Sequence, residues 1–245
     1  LTSQPAAAHA ATTEDFTRNL AVVNQKIAAT AEAAGRDRHS VRLLPVTKTI
    51  DTDRLALAIA AGVETLGENK VQEAQDKYEH FIDQFPHLRY AIIGPLQTNK
   101  AKFVAKFADE FHALDSLKLA ETLQRRLELE DRTLEVFIQV NTSGEESKSG
   151  IEAADAANLL GSLAPLDRLT PVGLMTMAAN TTDQAAVRAS FSLLRETRDR
   201  LQQDAPASFQ HLSMGMSGDY ELAIAEGATV VRVGQGIFGA RSYPA

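Results

Sequence analysis

Val41-Arg-Leu-Leu-Pro-Val-Thr47 is followed by Lys48, and residues 51–61 then carry a helical pattern that Gly62 ends. The first run is apolar and holds β-branched residues, the composition of a buried strand. The second is a helix with a glycine stop. Strand, polar exit and returning helix make one β-α unit, and the rest of the chain repeats it. Strands are expected at 63–67, 89–94, 111–114, 134–140, 169–174, 209–212 and 229–233. Helices are expected at 70–81, 98–107, 115–130, 151–160, 181–203 and 219–226. Thr98 or Asn99 is placed to cap the helix it precedes. Pro171 weakens the sixth strand, because it lacks an N–H for the ladder. One more helix, over 14–34, comes before the first strand, with Phe16, Leu20, Val23 and Ile27 at helical spacing.

Near-continuous apolar strands alternating with helices imply a parallel sheet covered on both faces. Eight such units in 245 residues match the size of a closed (β/α)8 barrel, with a doubly wound open sheet as the alternative. Strand exits favour the barrel. Lys48, Glu68-Asn69, Gln97 to Asn99, Asp115, Asn141, Met175, Ser213 and Arg232 to Gly234 stand there in turn. A barrel brings all of these positions to one face. The expected fold is therefore α/β: a single TIM barrel over 14–245 with an additional N-terminal helix, and residues 1–13 as a frayed or non-native tail.

Composition narrows the function classes. The net charge is −7 and no basic block stands out, so nucleic acid is not an expected partner. The absence of cysteine removes disulfides, cysteine nucleophiles and thiolate metal sites. Six histidines are scattered without a paired spacing, so no metal site is expected. No apolar run reaches membrane length, and the Ala/Thr-rich start lacks the features of a secretory signal. Cytoplasmic residence is the expectation.

The candidate site lies near the carboxyl end of the chain. Leu212-Ser-Met-Gly-Met-Ser-Gly-Asp219 and Val230-Val-Arg-Val-Gly-Gln-Gly-Ile-Phe-Gly239 each end an apolar run in small or polar residues. Ser213, Ser217, Gly234 and Gln235 can offer hydroxyls and backbone N–H groups to an anion. Arg232 either points inward beside that seat or faces a helix carboxylate; strand alternation alone does not choose. Lys48 ends the first strand. It is either a solvated loop lysine or a desolvated amine suited to Schiff-base chemistry. Such a lysine together with a phosphate seat is what pyridoxal phosphate requires. Asn69 and Asn141 either meet a ligand or shape turns. Met175, Met177, Met214 and Met216 form an apolar wall or core packing.

Seven blocks then carry a resemblance. They are Val46-Thr-Lys-Thr49, Gly67-Glu-Asn-Lys-Val-Gln-Glu73, Ile93-Gly-Pro-Leu-Gln-Thr-Asn-Lys100, Gln139-Val-Asn-Thr-Ser-Gly-Glu-Glu-Ser-Lys-Ser-Gly150, Gly173-Leu-Met-Thr-Met177, Leu212 to Asp219 and Val231 to Arg241. In that order the chain resembles the pyridoxal phosphate homeostasis protein family, relatives of the barrel domain of alanine racemase. The resemblance implies pyridoxal 5'-phosphate as cofactor. It implies Lys48 as the Schiff-base residue and Arg232 facing the pyridine nitrogen. Ser213, Gly234 and Gln235 match phosphate contacts, with Ser217 a further one; Asn69 lines the cofactor, with Met214 beside it. Two departures stand out. Tyr90-Ala91 replaces the family's aromatic-histidine pair, and Gln235 stands where serine or threonine is common.

The resemblance leaves two functions. One is a non-catalytic carrier or buffer in vitamin B6 and amino- and keto-acid homeostasis. The other is a racemase or related enzyme of weak or one-base activity. Alanine racemase-like turnover uses a second base, a tyrosine from a separate β-domain. The chain stops at Ala245, and none of Tyr78, Tyr90, Tyr220 and Tyr243 has a claim to that role. Binding without catalytic residues is the expectation. The expected state is a monomer that hands cofactor to pyridoxal phosphate-requiring apoenzymes or answers to a regulatory protein.

Overall fold

The computed structural model describes residues 10–145 and 149–239. Its elements run α1 (Thr13–Ala33), β1 (Arg42–Pro45), α2 (Thr52–Ala60), β2 (Thr65–Glu68), α3 (Val71–Phe81), β3 (Arg89–Ile92), α4 (Ala101–Phe107), β4 (Glu110–Leu114) and α5 (Leu117–Glu130). They continue with β5 (Leu134–Gln139), α6 (Ala156–Leu163), β6 (Leu169–Met175), α7 (Gln184–Leu201), β7 (His211–Met216), α8 (Tyr220–Ala225), β8 (Val230–Val233) and α9 (Gln235–Phe238). The eight strands form one sheet in the order β1-β8-β7-β6-β5-β4-β3-β2. The two ends of that order meet in a narrow seam. Val46 bridges Gly67 in parallel, and the Thr47 N–H donates to the Gly67 carbonyl at 3.0 Å. The sheet closes on itself, which excludes the open-sheet alternative and removes its edges.

Alternation along the strands sorts the side chains into two layers. Outward residues such as Phe111, Val136, Leu212 and Val231 are buried beneath the helices. Inward residues of β4, β7 and β8 are polar: Glu110, His112, Ser213 and Arg232 hydrogen-bond across the barrel. Phe137 packs against the His112 ring with centroids 4.1 Å apart.

Helix α1 opens on a capping box, in which Thr12 accepts from the Asp15 N–H and Asp15 accepts from the Thr12 N–H. It packs against α2, α8 and α9. Asn19 donates to the Ile237 carbonyl at 2.9 Å, and Phe16 meets Phe238 edge-on. The described chain after β8 makes only one helical turn, and α1 covers it. Ala10 is buried and its carbonyl accepts from Arg54, Ala11 and Thr12 are exposed, and Thr13 is the first residue of α1. Residues 1–9 of the expected tail lie outside the described residues.

Several boundaries differ from the sequence reading, each for a physical reason. Strand β7 runs to Met216, past the expected 212, because Ser213 finds polar partners inside the barrel and Gly215, at φ +93, permits close approach of α8. Helix α6 starts at Ala156, since Ile151 is still bridged to Val140. Neither Thr98 nor Asn99 caps α4; they sit in a 3-10 turn, Thr98–Lys100, that precedes it. Pro171 is tolerated because β6 bulges there: Val136 faces Pro171 while Phe137 faces Gly173.

Gly67 carries the seam. A Cβ there would sit 2.9 Å from the Pro45 carbonyl and 3.3 Å from Leu44. Gly67→Ala should lower the unfolding free energy by about 2 kcal/mol, read as a lower urea midpoint at unchanged m-value.

Candidate functional site

A cavity of about 350 Å³ opens at the carboxyl ends of the strands, a size suited to a small organic ligand. Lys48, Asn69, Ser217, Arg232, Gly234 and Gln235 line it together, with Met175, Met177 and Met216 as apolar wall. Ser213 and Met214, expected at the ligand, do not line it. Ser213 lies one layer deeper, wholly buried, with its hydroxyl engaged by Arg232 and His112. Met214 is the next residue on the strand, so it faces the helices. Asn141 is a turn former: its side-chain oxygen accepts from the Ser143 N–H and hydroxyl, and its amide donates to the Glu145 carbonyl.

The residues on either side of Lys48 are held by a charged network. Lys77, buried on α3, donates to the Thr47 carbonyl at 2.8 Å, to Glu68 at 2.6 Å and to Glu73 at 2.7 Å. Glu73 also accepts the Thr49 N–H at 2.5 Å. Thr49 has φ +65, a left-handed conformation that costs a β-branched residue about 1–3 kcal/mol. The bonds on both sides of Lys48 hold the chain in that conformation and so fix where the lysine leaves the backbone. Glu68 accepts from Thr47 with one oxygen, while its other oxygen is buried without a partner. Burial pushes the Glu68 carboxyl up, against the pull of Lys77.

Arg232 points inward from β8 and is buried. It donates to the Ser213 carbonyl at 2.8 Å, the Ser213 hydroxyl at 2.7 Å and the Thr176 carbonyl at 2.8 Å. All three acceptors are neutral. Burial pulls its pKa down to about 10, partly countered by the Asp219 carboxylate, so it stays charged near neutral pH. Three of its five donors are committed to protein. The remaining two have no acceptor among the described residues and suit an acceptor atom in the cavity.

Between these ends lies an anion seat. The Gly234 N–H donates to the Ser217 hydroxyl at 3.3 Å, joining the β7 and β8 exits. The N–H groups of Gln235 and Gly236 have no acceptor among the described residues. At Gly234 a Cβ would approach the Val46 carbonyl to 3.1 Å, so a bare backbone lets the β8 exit press against β1. A lysine amine, a guanidinium with two donors left over and a small-residue anion seat in one cavity fit a phosphorylated pyridine aldehyde.

Residues behind the cavity were missed in the sequence. His112 joins Ser213 to Glu110, and Glu110 takes both Arg42 Nη atoms at 2.7 and 2.6 Å. Glu110 and His112 stand two apart in an otherwise apolar run, and that spacing puts both on one face of a strand. Among the described residues no group of His, Asp or Glu could hold a metal ion.

The alanine racemase N-terminal domain family matches residues 18–242. Over 228 residues the chain is 41% identical to the pyridoxal phosphate homeostasis protein of Vibrio cholerae, an overlap of 92% of this chain and 96% of the relative. The chain belongs to the pyridoxal phosphate homeostasis protein family. The Escherichia coli K12 member is 40% identical, over 94% of this chain and 98% of its own. A solved family member, PipY of Synechococcus elongatus with pyridoxal phosphate bound, superposes with a TM-score of 0.80 at 34% identity, over 91% of this chain and all of PipY. Alanine racemase of Clostridium difficile shares the fold, with a TM-score of 0.68 at 14% identity; 94% of this chain corresponds to 56% of that enzyme.

Burial alone would raise the Glu110 carboxyl; the hydrogen bonds from His112 and Arg42 outweigh it and hold it well below the usual carboxylate range. A depressed carboxylate stabilises the fold above its unfolded pKa and loses that contribution as pH falls through the folded one. Glu110→Gln should therefore cost roughly 3 kcal/mol near pH 7. The gap to wild type should narrow below about pH 4, in thermal melts taken across a pH series.

Proposed function

We propose that this chain binds pyridoxal 5'-phosphate in the barrel mouth and serves vitamin B6 and amino- and keto-acid homeostasis by holding the cofactor. One observation carries the reading: Lys48, Arg232 and the Ser217/Gly234–Gln235 seat, far apart in sequence, line a single cavity. When bound, the cofactor supplies an aldehyde that condenses reversibly with amines. Lys48 is the amine placed to meet it. The phosphate would rest on the Ser217 hydroxyl and the N–H groups of Gln235 and Gly236. Arg232 would turn its uncommitted donors to the pyridine nitrogen. A guanidinium that keeps its proton there disfavours a second positive charge on that nitrogen, which weakens the ring as an electron sink.

The cavity wall supports holding over turnover. Among the described residues that line it, no Asp, Glu, His or Tyr stands opposite Lys48. Inversion at a carbon centre needs a second group on the opposite face. Tyr78 and Tyr90 pack in a cluster with Phe107, away from the mouth, and Tyr220 is buried against α1. Burial pushes the Tyr90 hydroxyl further up, away from any acid-base role. No described helix is long and apolar enough to cross a membrane. A cytoplasmic monomer that passes its cofactor to apoenzymes completes the reading.

Borohydride reduction of the cofactor-loaded protein should fix the cofactor on Lys48, read by peptide mass. Lys48→Ala should lose that product, and an unchanged yield would overturn the assignment. Wild type should show no appreciable racemisation of a panel of amino-acid enantiomers. Robust turnover that disappears in Lys48→Ala would favour the racemase.

A further inference from the structure

The guanidinium of Arg232 is the start of a longer arrangement. Its Nη1 donates to the Ser213 hydroxyl at 2.7 Å, that oxygen lies 2.9 Å from His112 Nδ1, and His112 Nε2 lies 2.9 Å from Glu110 Oε2. Glu110 in turn accepts from Arg42. The links cross the barrel from the mouth to a second cavity at the amino ends of the strands, which Arg42, Arg89 and Glu110 line. Ser213 and His112 are fully buried and Glu110 is 1% exposed, so the bonds on Ser213 and His112 are shut off from solvent.

Arginine can only donate, and an ionised carboxylate can only accept. Arg232 therefore donates to the Ser213 oxygen, and Glu110 takes a proton from His112 Nε2. Burial disfavours the imidazolium, so His112 is neutral with its proton on Nε2, and the bare Nδ1 accepts from the Ser213 hydroxyl. The Nδ1–H tautomer would instead set the Nε2 lone pair against the Glu110 carboxylate.

The geometry points to His112 as a positioning residue for the cofactor: through Ser213 it sets the orientation of Arg232, and Glu110 fixes the ring tautomer that does so. This rests on the proposed pyridoxal phosphate site. It adds a residue that touches neither the cofactor nor the cavity. Without His112 the Ser213 hydroxyl can rotate its proton toward Arg232, and the guanidinium loses the acceptor that holds its inner edge. The outer donors then no longer meet the ring nitrogen at a fixed angle.

Three measurements on the full-length protein test this. Nitrogen-15 NMR of the cofactor-free protein should show His112 as the neutral Nε2–H tautomer near pH 7; the Nδ1–H tautomer or an imidazolium would overturn the proposal. His112→Phe and Ser213→Ala should each weaken pyridoxal phosphate binding by about tenfold. The double variant should be little weaker than either alone, because both act through one link. His112→Asn, whose side-chain oxygen can replace Nδ1 as acceptor, should recover most of the affinity. Additive losses, unchanged affinity in Ser213→Ala, or no recovery with Asn would each overturn the role of His112. If His112→Phe does not fold, the Ser213→Ala affinity and the wild-type tautomer still decide it. Failure of wild type itself to bind the cofactor would instead refute the site reading, a separate result.

Discussion

A guanidinium placed inside a barrel must be surrounded by oxygens before the strands can close, because an unsolvated charge costs more than most side-chain contacts return. Arg232 meets that demand without a carboxylate in contact. It uses the backbone carbonyls of Thr176 and Ser213 and one hydroxyl. The Ser213 carbonyl also accepts from the Thr176 N–H, and the β7–β8 ladder shifts register between Ser213 and Met216. The buried cation thereby ties together the ends of three strands, β6, β7 and β8.

The opposite wall solves a related problem differently. Around Lys48 the bracing groups are themselves charged: one buried ammonium, Lys77, bridges two carboxylates and a carbonyl. Charged partners in a dry setting give strong and directional bonds. They suit a segment that must hold Thr49 in a left-handed conformation. Neutral oxygens suit Arg232, whose charge no carboxylate touches and Asp219 offsets only in part. The two ends of the site differ in electrostatic character as well as in chemistry.

Much of this was readable in the sequence, and the limits have physical causes. The β-α alternation gave all eight strands, because buried parallel strands read as apolar runs. Lys48, Asn69, Ser217, Arg232, Gly234 and Gln235 share the cavity as the motif positions suggest. Ser213 was misplaced by one layer because alternation gives the relative side of a residue but not its depth. The inward choice for Arg232 required the cross-strand oxygens that only three-dimensional pairing supplies. Glu110 and His112 went unread because their partners, Arg42 and Ser213, lie 68 and 101 residues away. Helix starts were missed where bridges such as Val140 to Ile151 carried the strand conformation onward.

Helix α1 covers the turn that follows β8, and Asn19 reaches Ile237 across 218 residues of chain. Contacts that close so large a loop are entropically late in folding, since much of the intervening structure must exist before they form. The anion seat belongs to that turn, while the amine it faces belongs to the first strand. The pocket is therefore complete only where the two ends of the barrel meet. A ligand bridging them rewards only the closed form, so its binding energy adds to the stability of the whole barrel at the seam where closure is decided.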